Sequence, residues 1–191
     1  VGIDSETTLK ILNNVLLEEF SDTKEISMIE LGNQFIDGDS NKSSKKYFSN
    51  KIKSHISIDI NGLSGALKYN LCEDLDIGRK ADIVTNFGTS EHVKNQFFCF
   101  KNMHNFCKIG GLFFHFVPLV DNWIKHCEYW YDTNFFQKMA LINNYSIIEN
   151  IIFNQGKYSV KKNMVLCIMR KNSHEFVTDE TFFKDLIHTK E

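Results

Sequence analysis

None of the five cysteines, Cys72, Cys99, Cys107, Cys127 and Cys167, forms a CxxC pair, and their number is odd. That pattern suits neither a disulfide frame nor a zinc knuckle. It suits reduced thiols and predicts a cytoplasmic protein. No stretch reaches the roughly 18 apolar residues of a membrane helix, and no signal peptide is visible, so no membrane span is expected. The chain opens on Val1 rather than Met, which predicts a short preceding piece. A basic excess is lacking too: the formal net charge is −2, whereas proteins built around a nucleic-acid backbone usually carry a positive surplus. No nucleic-acid partner is expected. There is no internal repeat, no low-complexity tract and no clear linker. The single proline and the abundant Asn, Lys and Ile carry no functional reading, and nothing specifies an oligomeric state.

What is present reads as one globular domain over residues 1–191. Hydrophobic residues make up 42% and charged residues 24%, a globular balance, and a chain this long buries a core without staples. Leu9, Leu12, Leu16 and Phe20 recur near helical spacing and predict a helix over 4–20. Short apolar runs predict strands at 26–31, 55–60, 65–71, 81–87 and 112–117, and two more at 145–154 and 162–170. Between them, a loop over 36–46 runs into a short helix near 43–53, and further helices are expected over 92–107 and 132–143. Gly110-Gly111 break the first of these, and a helical tail is expected over 178–188. The core spans about 24–171. The early alternation of strand and helix predicts an α/β fold with a mostly parallel sheet. The last two strands, separated by Asn154-Gln155-Gly156, predict an antiparallel pair.

In an open parallel sheet, ligands bind beyond the carboxyl ends of the strands. Four such ends carry polar residues or glycine here: Glu30-Leu31-Gly32-Asn33-Gln34, Asp59-Ile60-Asn61-Gly62, Asn70-Leu71, and Asn86-Phe87-Gly88-Thr89-Ser90-Glu91-His92. Their order resembles the class I, Rossmann-like methyltransferases that use S-adenosylmethionine. Glu30-Leu31-Gly32 resembles the first motif of that family. Asp59 resembles the acidic residue that holds the ribose hydroxyls, a role suited to a carboxylate because it accepts two hydrogen bonds from a diol. Asn70 stands where the family often has an Asp that accepts from the adenine amino group. Ala81-Asp82-Ile83-Val84 is similar to the fourth strand, Glu91-His92-Val93 to the pair that opens the next helix, and Lys108-Ile109-Gly110-Gly111 to the turn before the fifth strand, with Ile in place of Pro. The likeness covers about residues 26–118. It implies a seven-stranded three-layer sandwich and S-adenosylmethionine as cofactor, held by Glu30, Gly32, Asn33, Gln34, Asp59, Ile60, Asn70, Leu71, Asn86 and Gly88. One departure stands out: Asn33, Gln34 and Phe35 follow Gly32 where the family shows further glycines. Gln34 is a candidate to supply by side chain what glycine backbone supplies elsewhere.

These positions also have plain structural readings. Gly32 ends a strand, Asp59 suits the turn at Asn61-Gly62, and Asn70 is an ordinary loop residue. Glu91 and His92 suit a helix start, with Thr89 or Ser90 as its cap. Gly110-Gly111 read as structural, and His104 as a satisfied core residue. A metal would need Glu91, His92, His115 and His126 to converge, and no metal is expected. The aromatic segment from Trp123 through Tyr129, Trp130, Tyr131, Phe135 and Phe136 is expected to divide between core packing and the wall of an acceptor pocket. The function expected is methyl transfer to a small-molecule or glycan acceptor, with His92, His115 and Glu91 on the catalytic side, because an imidazole titrating near neutrality suits proton removal. A catalytically silent binding module of the same fold is the alternative. A nicotinamide-dependent oxidoreductase is a further one, opposed by the absence of GxGxxG after the first strand.

Overall fold

The apolar runs assemble into one seven-stranded sheet. A computed structural model describes residues 2–3, 6–36, 39, 41–123, 125–154 and 163–186. The strands are β1 (Ser27–Leu31), β2 (Ser54–Asp59), β3 (Leu67–Lys68), β4 (Ala81–Phe87), β5 (Cys107–Pro118), β6 (Tyr145–Asn154) and β7 (Asn163–Lys171). Their order across the sheet is β3-β2-β1-β4-β5-β7-β6. The first five run parallel, and β7 lies antiparallel between β5 and β6. The expected antiparallel pair is therefore present. The turn expected between its strands falls on residues outside those described. A separate two-stranded parallel pair joins Gly2–Ile3 to Phe35–Ile36.

Helices cover both faces. On one face, α1 (Glu6–Glu19) turns Leu9, Leu12 and Leu16 onto Ile83, Phe114, Leu166 and Ile168. On the other, α3 (Gln96–Phe106) and α4 (Thr133–Asn143) bury Phe100, Met103, Phe136 and Met139 against Val84, Phe113 and Val165. Full burial of one such side chain contributes roughly 1.5–3 kcal/mol, so this double core carries the fold. Among the described residues no helix is long and apolar enough to cross a membrane. Cys72, Cys99, Cys107 and Cys167 are free thiols.

Several boundaries differ from expectation, each for a local reason. The helix expected from residue 92 begins at Gln96, because Asn95, and neither Thr89 nor Ser90, accepts the Phe98 N–H at 3.0 Å as its cap. The strand expected over 65–71 shrinks to Leu67–Lys68, the only residues there that pair with β2. Helix α2 covers Ser44–Phe48 alone, capped by Ser43. Gly110-Gly111 lie inside β5 and not before it. Gly110 takes φ +77°, the register slips between Ala81 and Ile83, and a Cβ on Gly111 would sit 2.8 Å from the Asp82 carbonyl. Both glycines are structural, as their plain reading has it. The tail forms a short 3-10 turn over Glu180–Asp185, capped by Asp179. The end of the expected tail helix, 187–188, lies outside the described residues.

Candidate functional site

The strand order reverses between β1 and β4, and loops leaving the two carboxyl ends part there, the place where open α/β sheets bind ligands. A cleft of about 560 Å³ occupies that point, within the usual range for small-molecule sites. Its floor is the loop after β1. Gly32 takes φ +75°, which L side chains rarely adopt, and its N–H reaches the Ile58 carbonyl at 2.8 Å. The Gln34 side chain folds back over it: Nε2 donates to the Leu31 carbonyl at 3.1 Å and to Thr89 Oγ1 at 2.8 Å. Thr89 Oγ1 donates in turn to the Leu31 carbonyl at 2.8 Å. This latch ties the loop after β1 to the loop after β4.

One wall carries the acidic group. Asp59 ends β2 and stays half-buried; its Oδ2 accepts the Asn33 N–H at 2.9 Å and its Oδ1 the Asn61 N–H at 3.0 Å. Beside it Ile60 is 66% exposed and Tyr69 37%, an apolar surface left bare at the cleft, while Leu71 lies buried behind them. Asn70 lines the same wall, but its Oδ1 accepts the Cys72 N–H at 3.1 Å and its Nδ2 donates to Glu73. The loop reading therefore describes much of its amide. The opposite wall has Thr89, His92, Val93, Lys94 and His126. The His92 and His126 rings meet edge to face at 5.1 Å. Burial, and then the neighbouring His126, push the His92 imidazole down to about 4.

Eight of the expected residues thus meet at one cleft: Gly32, Asn33, Gln34, Asp59, Ile60, Asn70, Leu71 and His92. Five do not, and each is a correction. Glu30 is 1% exposed and works from beneath. Its carboxyl accepts from the Ser44 hydroxyl and from the Gln34 N–H at 3.4 Å, holding the loop without facing the cleft. Burial raises it to about 8. His55 lies 3.7 Å away but is itself pushed down to about 3 by burial, so the two meet as neutral groups and not as an ion pair. Asn86 is fully buried, accepting the Ser90 N–H at 3.0 Å and donating to Ser90 Oγ at 2.8 Å. Gly88 uses its N–H on the Phe116 carbonyl. Glu91 is 1% exposed, behind His92, and burial raises it to about 8.

His115 is the clearest correction. Strand β5 runs three residues past it to Pro118, so it sits within the sheet and not at its end. Its ring packs 4.8 Å from Phe136 and 5.8 Å from Phe100, 2% exposed, and burial pushes it down to about 3. The aromatic segment does divide, but not at this cleft: Tyr131 donates to Gln96 Oε1 at 2.7 Å and Tyr129 to the Lys94 carbonyl at 2.9 Å, Trp130, Tyr131 and Phe135 line a separate hollow of about 260 Å³, and none of the six expected rings lines the cleft. His104 is a satisfied core residue, bonded to Tyr145 and to the His174 carbonyl. Among the described residues no group of three or more His, Cys, Asp or Glu is placed to hold a metal ion.

Tyr69, Thr89, Lys94 and His126 line the cleft without having been expected there as site residues. Thr89 and Lys94 follow the Asn86-Phe87-Gly88 strand end closely, and Tyr69 precedes Asn70, so adjacency was their one available signal. A hollow of similar size, about 610 Å³, lies along residues 74–80 before β4. Asp74, Asp76, Arg79 and Lys80 line it, and none of the strand-end residues does.

No protein-family model matches the chain, and no curated protein matches its sequence. Solved structures do match in fold. The Burkholderia thailandensis 1,6-didemethyltoxoflavin-N1-methyltransferase, solved with 1,6-didemethyltoxoflavin and S-adenosylhomocysteine, superposes with a TM-score of 0.64 at 11% identity, covering 87% of this chain and 79% of that one. The N-methyltransferase NodS from Bradyrhizobium japonicum WM9, solved with S-adenosylhomocysteine, gives 0.59 at 10% identity over 88% and 87%. The [4+2]-cyclase SpnF gives 0.62 at 8% identity over 85% and 80%. The chain therefore has the Rossmann-like fold of the class I S-adenosylmethionine-dependent methyltransferases. That fold hosts more than one reaction, so function has to be argued from the cleft.

Proposed function

We propose that the chain binds S-adenosylmethionine in this cleft and transfers its methyl group to a small-molecule or glycan acceptor. The observation that carries the reading is the Asp59 carboxylate at the carboxyl end of β2, beside the bare Ile60 side chain. Each carboxylate oxygen accepts one backbone N–H, which leaves each with capacity for a ribose hydroxyl. Ile60 and Leu71 form an apolar surface suited to a flat base. The donor set fits the cofactor: an acid for the diol, an apolar slot for the ring, and polar loop atoms at Gln34 and Thr89 for the amino-acid end. Bound there, the cofactor supplies an electrophilic methyl on a sulfonium, and with it most of the chemistry.

The chain's own task is to hold the reactants in line and dry, an alignment worth ~7–11 kcal/mol in favourable cases. His92 faces the cleft on the side opposite Asp59 and stays neutral down to about pH 4. A neutral imidazole accepts a hydrogen bond, so His92 orients an acceptor hydroxyl toward the methyl; held near 4 and not near neutrality, it acts by positioning more than by removing the proton.

Two substitutions test the two sides separately. Asp59→Ala should weaken S-adenosylhomocysteine binding by about 1.5–3 kcal/mol, the range for hydrogen bonds to a charged group; calorimetry on a folded variant reads this, and unchanged affinity contradicts it. His92→Ala should bind S-adenosylhomocysteine like the parent yet lose ~10²–10⁴ in methyl transfer, measured against a panel of small hydroxyl, amine and glycan acceptors. Loss of cofactor affinity in that variant would move His92 to the other side of the site.

A further inference from the structure

The two edges of the sheet are built differently. One ends on β3, which is two residues long and carries the exposed Lys68. Natural proteins blunt sheet edges in this way, with short strands and lysines. The other ends on β6, ten residues long, with no lysine, no proline and a single charge, Glu149. Among the described residues no strand pairs with its outer side. The strand carries four isoleucines, Ile147, Ile148, Ile151 and Ile152, all exposed, Ile152 by 55%. Helix α4 adds to this apolar border. Its Phe135 flank leans toward α3, with the ring 5.4 Å from that of Phe100. The opposite flank, with Leu141 85% exposed, therefore turns toward the open edge. The ladder to β7 slips at Ile148 but is regular from Glu149 to Asn154.

We propose that β6 is a dimerisation edge, and that its partner is β6 of a second copy of this chain, laid antiparallel to make one continuous sheet. The pattern of the strand singles out a second copy. An antiparallel pair sets residues of the same face opposite each other. Laid against itself about Ile151, the regular run puts Ile151 beside Ile151, Asn150 beside Ile152, and Glu149 beside Phe153. The one charge of the strand never stands opposite its like, an arrangement that would destabilise the pair. The helices fit the same two-fold. Helix α4 starts above Asn150, whose Nδ2 donates to the Thr133 carbonyl at 2.9 Å, and runs back over the Tyr145 end. It leaves Ile152 uncovered, and the two-fold brings the Leu141 flank of the second copy to that end. Association closes at two, because both copies use the same patch and the opposite edge is blunted. The cleft stays open, since β5 and β7 lie between it and β6.

Sedimentation velocity on the intact chain tests this between about 1 and about 100 µM. The parent should reach twice the 22.2 kDa chain mass at the upper end. Ile151→Lys and Ile151→Glu each set like charges opposite at the two-fold. Each should weaken the dimer more than about tenfold, with the circular dichroism spectrum unchanged. Mixed in equal amounts the two variants should pair again, because lysine then faces glutamate. Amide hydrogen exchange on the parent reads the same contact without a variant: protection of residues 149–153 should rise with protein concentration. The proposal is overturned by a parent that stays monomeric at about 100 µM, by a dimer that both variants keep, or by a mixture that does not re-associate. Protection of β6 that is equal at every concentration overturns it too, since the edge would then be covered within one chain.

Discussion

Gly32→Val is expected to reduce S-adenosylhomocysteine affinity more than a hundredfold while leaving the circular dichroism spectrum close to that of the parent. Three effects add at this position. Gly32 takes φ +75°, where a β-branched residue is a backbone outlier, costing of order 1–3 kcal/mol. A Cβ there falls 2.6 Å from Gln34 Nε2 and 2.7 Å from Thr89 Oγ1, so both side chains must leave their places. Their departure breaks the latch onto the Leu31 carbonyl and opens the loop after β1 from the loop after β4. The valine methyls and the displaced amide then compete for the space that a ligand would fill. Secondary structure survives because β1 ends at Leu31 and its pairing with β2 and β4 lies upstream. Calorimetry and circular dichroism on the same sample check this. A folded variant that binds within a fewfold of the parent would place the cofactor elsewhere.

The second large effect is on stability, which is expected to peak near pH 6–6.5 and to fall on both sides. On the acid side the histidines decide. Burial pushes His55 and His115 down to about 3, and His92 and His104 down to about 4. Below their ordinary value near 6.5 the unfolded chain binds protons that the folded chain refuses, so stability is lost as pH falls through that value. On the alkaline side the buried carboxyls decide. Burial raises Glu30 and Glu91 to about 8. Between about 4.5 and 8 the folded chain keeps these protons while the unfolded chain has released them, so stability falls as pH rises. Each group contributes about 1.4 kcal/mol per pH unit while the folded chain keeps its proton, so the two together cost roughly 3 kcal/mol between pH 6.5 and pH 8, at which both are half-ionised. Urea denaturation midpoints across pH 5–8 measure this. Glu30→Gln and Glu91→Gln should each flatten the alkaline limb, since the amide has no proton to lose. A stability that rises steadily from pH 6.5 to 8 would show the carboxyls ionised in the folded chain.

Much of this architecture was legible in the sequence because strand ends are marked locally. Leu31 before Gly32, Asp59 before Asn61-Gly62, and Phe87 before Gly88 each join an apolar run to a turn residue, and β1, β2 and β4 end there. Asp59 and the Gly32 loop were found by the same marks. What failed depended on partners distant in the chain. The strand expected over 65–71 needed a neighbour to pair with, and β2 offers one only to Leu67 and Lys68. His115 was expected on the catalytic side, but β7 pairs with β5 as far as Pro118, which places the ring in the middle of the core. Glu30, Asn86 and Glu91 carry polar groups at strand ends, and there the sequence signal is the same for a group that faces a ligand and one that braces a loop from below. Only the direction of the side chain separates them. Gln34 shows the converse. The sequence marked it as a departure from a glycine-rich loop, but the latch that orients its amide runs through Thr89, 55 residues on.

The central claim is that the cleft between the β1 and β4 loops binds S-adenosylmethionine, and titration calorimetry of the intact chain with S-adenosylhomocysteine tests it most directly. The expected result is saturable binding at one site per chain, weakened by Asp59→Ala and lost in Gly32→Val, with no heat from NAD or NADH. Absence of binding by the folded parent protein, or binding that both substitutions leave unchanged, would contradict the claim.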